Sequence, residues 1–209
     1  MATCKLDVKE PYFHNCTPFI VYCQVFFIKY PDRICCMNKL NIYIDGNNLY
    51  RSAKELGFEV DYKKFRGWLR QKYNPTSVYL FIGLVPQRIK FYEYLQECGF
   101  ILIFKHTVSV GAIIKGNCDA EIVLKTVSDF YTKAFNSCIL ITGDGDFGCL
   151  VEFLINNSVM DTILAPNEKK CSILLKNKNI EITFLNEQYH KFSRPSSLKE
   201  KAPNADVST

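Results

Sequence analysis

Cys138-Ile139-Leu140-Ile141-Thr142-Gly143-Asp144-Gly145-Asp146-Phe147-Gly148 is an apolar run that ends in two carboxylates separated by one glycine. A short apolar run bounded by glycine reads as a buried parallel strand. Open α/β sheets place their ligands outside the carboxyl ends of such strands, so the two acids stand where a site is expected. The same letters spell Gly143-x-Gly145-x-x-Gly148, a dinucleotide fingerprint. The segment therefore offers two chemistries, a metal site or a pyrophosphate cradle. Charge argues against the cradle, because Asp144 and Asp146 fill loop positions where phosphates would otherwise rest on backbone amides. A fingerprint also opens the first βα unit of its domain, and this copy lies late, although Asp161 stands near the spacing of a ribose-binding acid. A plainer reading makes the acids caps of the next helix. That suits Asp146 and leaves a second acid beside it without a reason.

Working outward, strands and helices alternate along the chain. Asn41 to Asp45 reads as a strand, Leu49 to Leu56 as a helix stopped at Gly57, and Asp61 caps a helix to about Tyr73. Val78 to Ile82 is a second strand and Pro86 starts a helix through Gln96, ended by Gly99. Phe100 to Phe104 is a third strand. Residues Lys105 to Cys118 read as a loop, and Asp119 opens a helix through about Ala134. After the strand at 137–142 come a helix from Phe147 to Ile155, a strand from Asp161 to Ala165, a helix near Cys171–Lys176 and a strand from Ile180 to Leu185. Such alternation implies an α/β fold with a mostly parallel sheet and helices on both faces.

Composition sets wider bounds. A chain of 209 residues with 48% hydrophobic content suits one α/β domain with extensions, and a net charge of +5 permits a nucleic-acid partner without requiring one. Of ten cysteines, Cys4, Cys16, Cys23, Cys35 and Cys36 precede Met37 and the rest are scattered, with no CxxC pair. Zinc spacing is missing, so reduced thiols of a cytoplasmic protein are the expectation. Residues 1–36 lack glycine, a clear period and a capping pattern. Their apolar run Phe19 to Ile28 is too short to span a bilayer, and no small-residue cleavage site follows. The expectation is that Met37 is the native start, that 37–192 form the domain, and that the Ser-, Pro-, Lys- and Asn-rich stretch from Ser193 to Thr209 is a disordered tail.

Acids gather at corresponding points of this plan. Asp45 ends the first strand, Asp144 and Asp146 follow the fourth, and Asp119 begins the helix that enters the fourth. Where the strand order of a doubly wound sheet reverses, the first and fourth strands can be neighbours whose carboxyl ends share one crevice. The helix of Asp119 runs antiparallel to the strands, so its N-terminus lies at the same end. Crowded carboxylates repel one another, and a divalent cation removes that cost. Oxygen-only donors favour Mg2+ or Mn2+ over zinc. A cation so held can acidify a water and stabilise an in-line displacement at phosphorus, which points to phosphodiester hydrolysis.

Three segments, Ile44-Asp45-Gly46-Asn47-Asn48-Leu49, Lys115-Gly116-Asn117-Cys118-Asp119 and Thr142-Gly143-Asp144-Gly145-Asp146-Phe147, resemble in order the motifs of NYN domains, the LabA-like branch of the PIN-like nucleases. The resemblance covers about Met37 to Leu185. It implies a PIN-like three-layer sandwich with strand order 3-2-1-4-5 plus a C-terminal strand. It also implies a metal-dependent ribonuclease using Mg2+ or Mn2+. By the same resemblance Asp45, Asp119, Asp144 and Asp146 are the catalytic, metal-holding acids. Asn48 is the site's polar asparagine, Thr142 the hydroxyl before the acidic turn, and Lys115 the basic residue that contacts substrate phosphate. Single-stranded RNA is the implied partner, with no membrane and a homodimer left open. The departure is Gly145, where serine is frequent in the family.

Plainer roles stand beside these. Glu121 pairs with Lys125 at i+4, Asn47 and Asn48 suit a turn, and Trp68 belongs to the core. His14, His106 and His190 are dispersed. The cations of the 61–73 helix form either a phosphate-binding or a merely solvated face. Two other functions remain open. One is a catalytically weak RNA-binding or regulatory module of the same fold. The other is aspartyl phosphotransfer through Asp45, which lacks the second acid of a DxD motif.

Overall fold

The computed structural model describes residues 39–106, 108–110, 113–115 and 118–194. The expected leader at 1–36 and residues 195–209 of the expected tail lie outside them. In chain order the elements are β1 (Leu40–Asp45), α1 (Gly46–Glu55), α2 (Tyr62–Tyr73), β2 (Ser77–Leu84), α3 (Ile89–Glu97), β3 (Ile101–His106), β4 (Val108–Val110), β5 (Ile113–Lys115), α4 (Asp119–Tyr131), β6 (Ser137–Ile141), α5 (Gly148–Asn156), β7 (Met160–Ala165), α6 (Ile173–Lys176), β8 (Ile182–Phe184) and α7 (Tyr189–Phe192).

Six strands form one sheet in the order β3-β2-β1-β6-β7-β8, and every pairing is parallel. Counting only this sheet's strands, the order is 3-2-1-4-5-6, the PIN-like arrangement expected. The order reverses between β1 and β6, which are therefore the strands that can open a crevice. The reading of 105–118 as a loop is corrected: β4 and β5 pair as an antiparallel hairpin within it. The apolar alternation there is too short to stand out against Gly111 and Gly116.

Side chains alternate across the sheet with period two. From β1, Leu40, Ile42 and Ile44 join Leu49 and Ala53 of α1, Phe65 and Leu69 of α2, Tyr92 and Leu95 of α3, and Tyr189 and Phe192 of α7 in one core. Tyr43 joins Ile122 of α4, Leu150, Val151 and Leu154 of α5, and Leu175 of α6 in the other. Trp68 packs against the first core beside Phe65 and Phe192. Asp61 caps α2 as expected, its carboxylate accepting from the Lys64 amide. Gly57 and Gly99 follow the ends of α1 and α3 with φ of 77° and 91°, the left-handed conformation that closes a helix.

A polar clamp ties α4 to the sheet. The Tyr43 hydroxyl donates to Asp129 Oδ2 at 2.8 Å, and Lys125 pairs with Asp129 Oδ1 at 2.6 Å while lying over the Tyr79 ring. The expected Glu121–Lys125 pair is replaced, because Glu121 reaches Lys105 of β3 at 3.3 Å. Buried Asp129 gives Lys125 a less solvated partner than the half-exposed Glu121. Ser193 forms a bridge with Val60 and Arg194 pairs with Glu59, so the first two residues of the expected tail rest on the segment between α1 and α2.

Candidate metal centre

The period of β1 that buries Tyr43 also sends Asp45 to the face covered by α4 and α5. Asp45 is 5% exposed and caps α1, with its Oδ1 accepting from the amides of Asn47 at 3.1 Å and Asn48 at 3.0 Å. Because Ile44 pairs with Ile141, the residues that follow them, Asp45 and Thr142, lie side by side. The Thr142 hydroxyl makes a long 3.4 Å donation to Asp45 Oδ2 and accepts from the Asp144 amide at 3.1 Å. Asn48 Oδ1 accepts from the Gly143 amide at 3.0 Å, and Asp144 Oδ1 accepts from the Asp146 amide at 3.0 Å. The side chains of Asn48 on α1 and of Thr142, just past β6, thus hold the turn 143–146 through its own backbone N–H groups. Asn48 is more than a turn residue, and the short cap in this turn is Asp144, not Asp146.

Asp119 lies in the first turn of α4, whose cap position is Cys118, and an acid there is favoured by the helix dipole. Asp119, Asp144 and Asp146 each place a carboxylate oxygen within 4.8 Å of the others. Asp45 stands outside that group of oxygens, yet its carboxyl is pushed up to about 6, first by burial and then by the charges of Asp119 and Asp144, against the pull of the Asn48 and Asn47 amides. The four expected acids are therefore brought to one place, three as oxygens able to share one ion and the fourth as a buried charge beside them. Lys115 ends β5, four residues before Asp119.

The donor set fits the divalent cation that the sequence implies. Oxygen donors only, three carboxylates from two separate elements and a fourth negative charge nearby suit Mg2+ or Mn2+.

The raised Asp45 carboxyl has a stability consequence. The native state binds more protons than the unfolded chain between 3.8 and about 6, so stability falls as pH rises across that window and levels off above it. We expect the metal-free protein to lose on the order of 2–3 kcal/mol there, and Asp45→Asn to lose that slope. Urea unfolding in EDTA from pH 4 to 7 checks this, and parallel curves for the two proteins would refute it. Thr142 is fully buried, so Thr142→Val keeps the packing while freeing the Asp144 amide and one Asp45 oxygen. It should weaken Mn2+ binding by about 10–100-fold, measured by calorimetry, with Thr142→Ser restoring it.

Reading the sequence alone missed the segment that closes the turn from the other side. The Ser172 amide donates to the Gly143 carbonyl at 2.9 Å, and a Cβ at 145 would run into the Ser172 hydroxyl. A side chain at 145 would force the Ser172 hydroxyl away from the Leu174 amide that it caps, a cost that glycine avoids. Lys105 was also missed; with Glu121, Asp45 and Asp119 it forms the charged surroundings of Cys118. Neither contact has a signal in local spacing.

Comparison with known proteins bears on this centre. The family model of the NYN domain matches residues 39–186. Among solved structures, a protein of unknown function from Vibrio parahaemolyticus is similar over 75% of this chain and 96% of its own, with a TM-score of 0.60 and 21% identity; at that identity the likeness is one of fold. No curated protein matches the chain. Among the described residues no helix is long and apolar enough to cross a membrane.

Proposed function

The chain belongs to the NYN domain family, and from that premise we propose that it is a metal-dependent ribonuclease that hydrolyses phosphodiester bonds of single-stranded RNA. NYN domains are PIN-like and generally act on nucleic acid with divalent metals. The observation that supports the reading for this chain is the meeting of Asp119, Asp144 and Asp146 within 4.8 Å beside buried Asp45. Asp119, Asp144 and Asp146 would hold the ion, with Asp45 adding its charge and its hold on the α1 start. Bound there, Mg2+ or Mn2+ would supply positive charge against phosphate oxygens and a more acidic water.

The chain's own residues set the geometry. Asn48 and Thr142 fix the Gly143 and Asp144 amides, so the carboxylates of the turn face α4 without rearranging when substrate arrives, which is the condition for electrostatic catalysis. Asp45 keeps Thr142 oriented. Exposed Lys169 and Lys170 precede Cys171, whose backbone packs on Gly143. They bring positive charge to the rim, where a polyanion would otherwise be repelled.

The test is a cleavage assay on labelled single-stranded RNA and DNA side by side, with Mg2+, Mn2+ or EDTA. Cleavage of RNA that EDTA stops is expected. RNA binding without metal-dependent cleavage would instead identify the protein as a regulatory module of the same fold.

A further inference from the structure

A groove of about 420 Å3 opens beside the acidic turn, between the start of α5 and α6. Gly145 lines it, and Gly145 is the residue between Asp144 and Asp146. The groove therefore adjoins the backbone of the turn that carries the two acids. Its volume lies in the range of small-ligand sites, roughly 300–1,000 Å3.

Two glycines keep it open. Gly148 begins α5, where glycine is a poor helix residue, and a Cβ there would meet no atom within 4 Å. Packing gives no reason for this glycine, whereas a side chain at 148 would narrow the groove. The opposite wall carries Leu174, 59% exposed, and Asn177, whose exposed carboxamide makes no hydrogen bond among the described residues. The Lys178–Glu152 ion pair borders the groove. An apolar surface and an amide offering both donors and an acceptor match a nucleobase.

We propose that this groove seats the nucleotide next to the scissile phosphate, with the base against Leu174 and its polar edge on Asn177. The proposal rests on the nuclease reading and adds to it a base-reading subsite. An unpaired base is required, because a duplex hides its edges and faces from a groove of this kind. Single-stranded RNA is the occupant.

Gly148→Leu tests it, with Asn177→Ala as a second variant that alters an exposed side chain. Three readouts are taken on each protein with Mn2+: kinetics on single-stranded RNA, hydrolysis of bis(p-nitrophenyl) phosphate, and Mn2+ affinity by calorimetry. Gly148→Leu should raise KM for RNA by about tenfold, with hydrolysis of the small diester and Mn2+ affinity unchanged. Asn177→Ala should flatten the base preference at the position beside the cut, read by sequencing product ends. RNA kinetics and cut-site preference that match the parent protein in both variants would overturn the groove and leave the nuclease reading standing. A parent protein inert toward RNA and the small diester alike overturns both.

Discussion

Asp144→Asn is expected to abolish the proposed RNA cleavage while the protein stays folded. Asp144 is the acid on which the proposed centre converges. Its oxygens lie with those of Asp119 and Asp146, its charge helps to raise the Asp45 carboxyl, and its Oδ1 holds the Asp146 amide. Asparagine keeps an oxygen for that amide, so the turn survives, but it removes one charge from the set that would hold the ion. Such an ion contributes several kcal/mol to a phosphoryl transition state, and each 1.36 kcal/mol is about tenfold in rate. A loss of about a thousandfold or more in kcat/KM is the expected result. The stability change has the opposite sign, because removing one of several crowded carboxylates relieves repulsion in the metal-free protein. The variant should unfold at an equal or higher denaturant concentration in EDTA. Full cleavage activity in Asp144→Asn would reject this centre as the site.

Gly46→Ala should be strongly destabilising. Gly46 follows Asp45 directly and begins α1, where alanine is intrinsically the better helix residue. The surroundings reverse that preference. A Cβ at 46 would stand 2.6 Å from the Phe81 carbonyl oxygen and 2.6 Å from Ile82 Cγ2. The carbonyl belongs to β2, which is hydrogen-bonded between β1 and β3 and cannot move without breaking a ladder. Relief must come from shifting α1, and with it the amides of Asn47 and Asn48 that hold Asp45. Overpacking at a well-packed position costs about 1–3 kcal/mol, more where the backbone must move. A loss of at least about 3 kcal/mol is expected against a typical total of roughly 5–15 kcal/mol. Gly148→Ala is the matched control. With open space at its Cβ it should be neutral or stabilise by up to about 1 kcal/mol. Denaturant midpoints of the two variants decide the matter, and equal midpoints would contradict the close approach of α1 to β2.

Much of this could be read without coordinates, for reasons of period and punctuation. Each long strand is a short apolar run and each long helix has a start or stop signal, so the alternation and the parallel sheet follow from local pattern. The acids stand out because carboxylates at strand ends break an apolar run where burial should continue. The hairpin β4–β5 was hidden, since three-residue strands carry too little alternation to register against flanking glycines. The partners of Glu121 and Lys125 were also misassigned, because helical spacing shows which residues can meet but not which competitor is more buried. Asp129 and Lys105 are such competitors, one on the same helix and one on a strand distant in sequence.

Local pattern was enough for the α/β class and for Asp45, Asp119, Asp144 and Asp146 as the acids to watch, and resemblance to a family supplied the strand order. How the four acids divide emerges from the fold. Three present oxygens within 4.8 Å, while Asp45 is buried behind two backbone amides and the Thr142 hydroxyl. The fold also explains Gly145, whose missing side chain makes room for Ser172 from a segment 27 positions later in the chain. The physical reason is the range of the interactions. Hydrophobic period, capping and turn chemistry act within a few residues and are written locally. Desolvation, charge crowding and steric exclusion depend on what the folded chain brings alongside, and no spacing along the sequence records that.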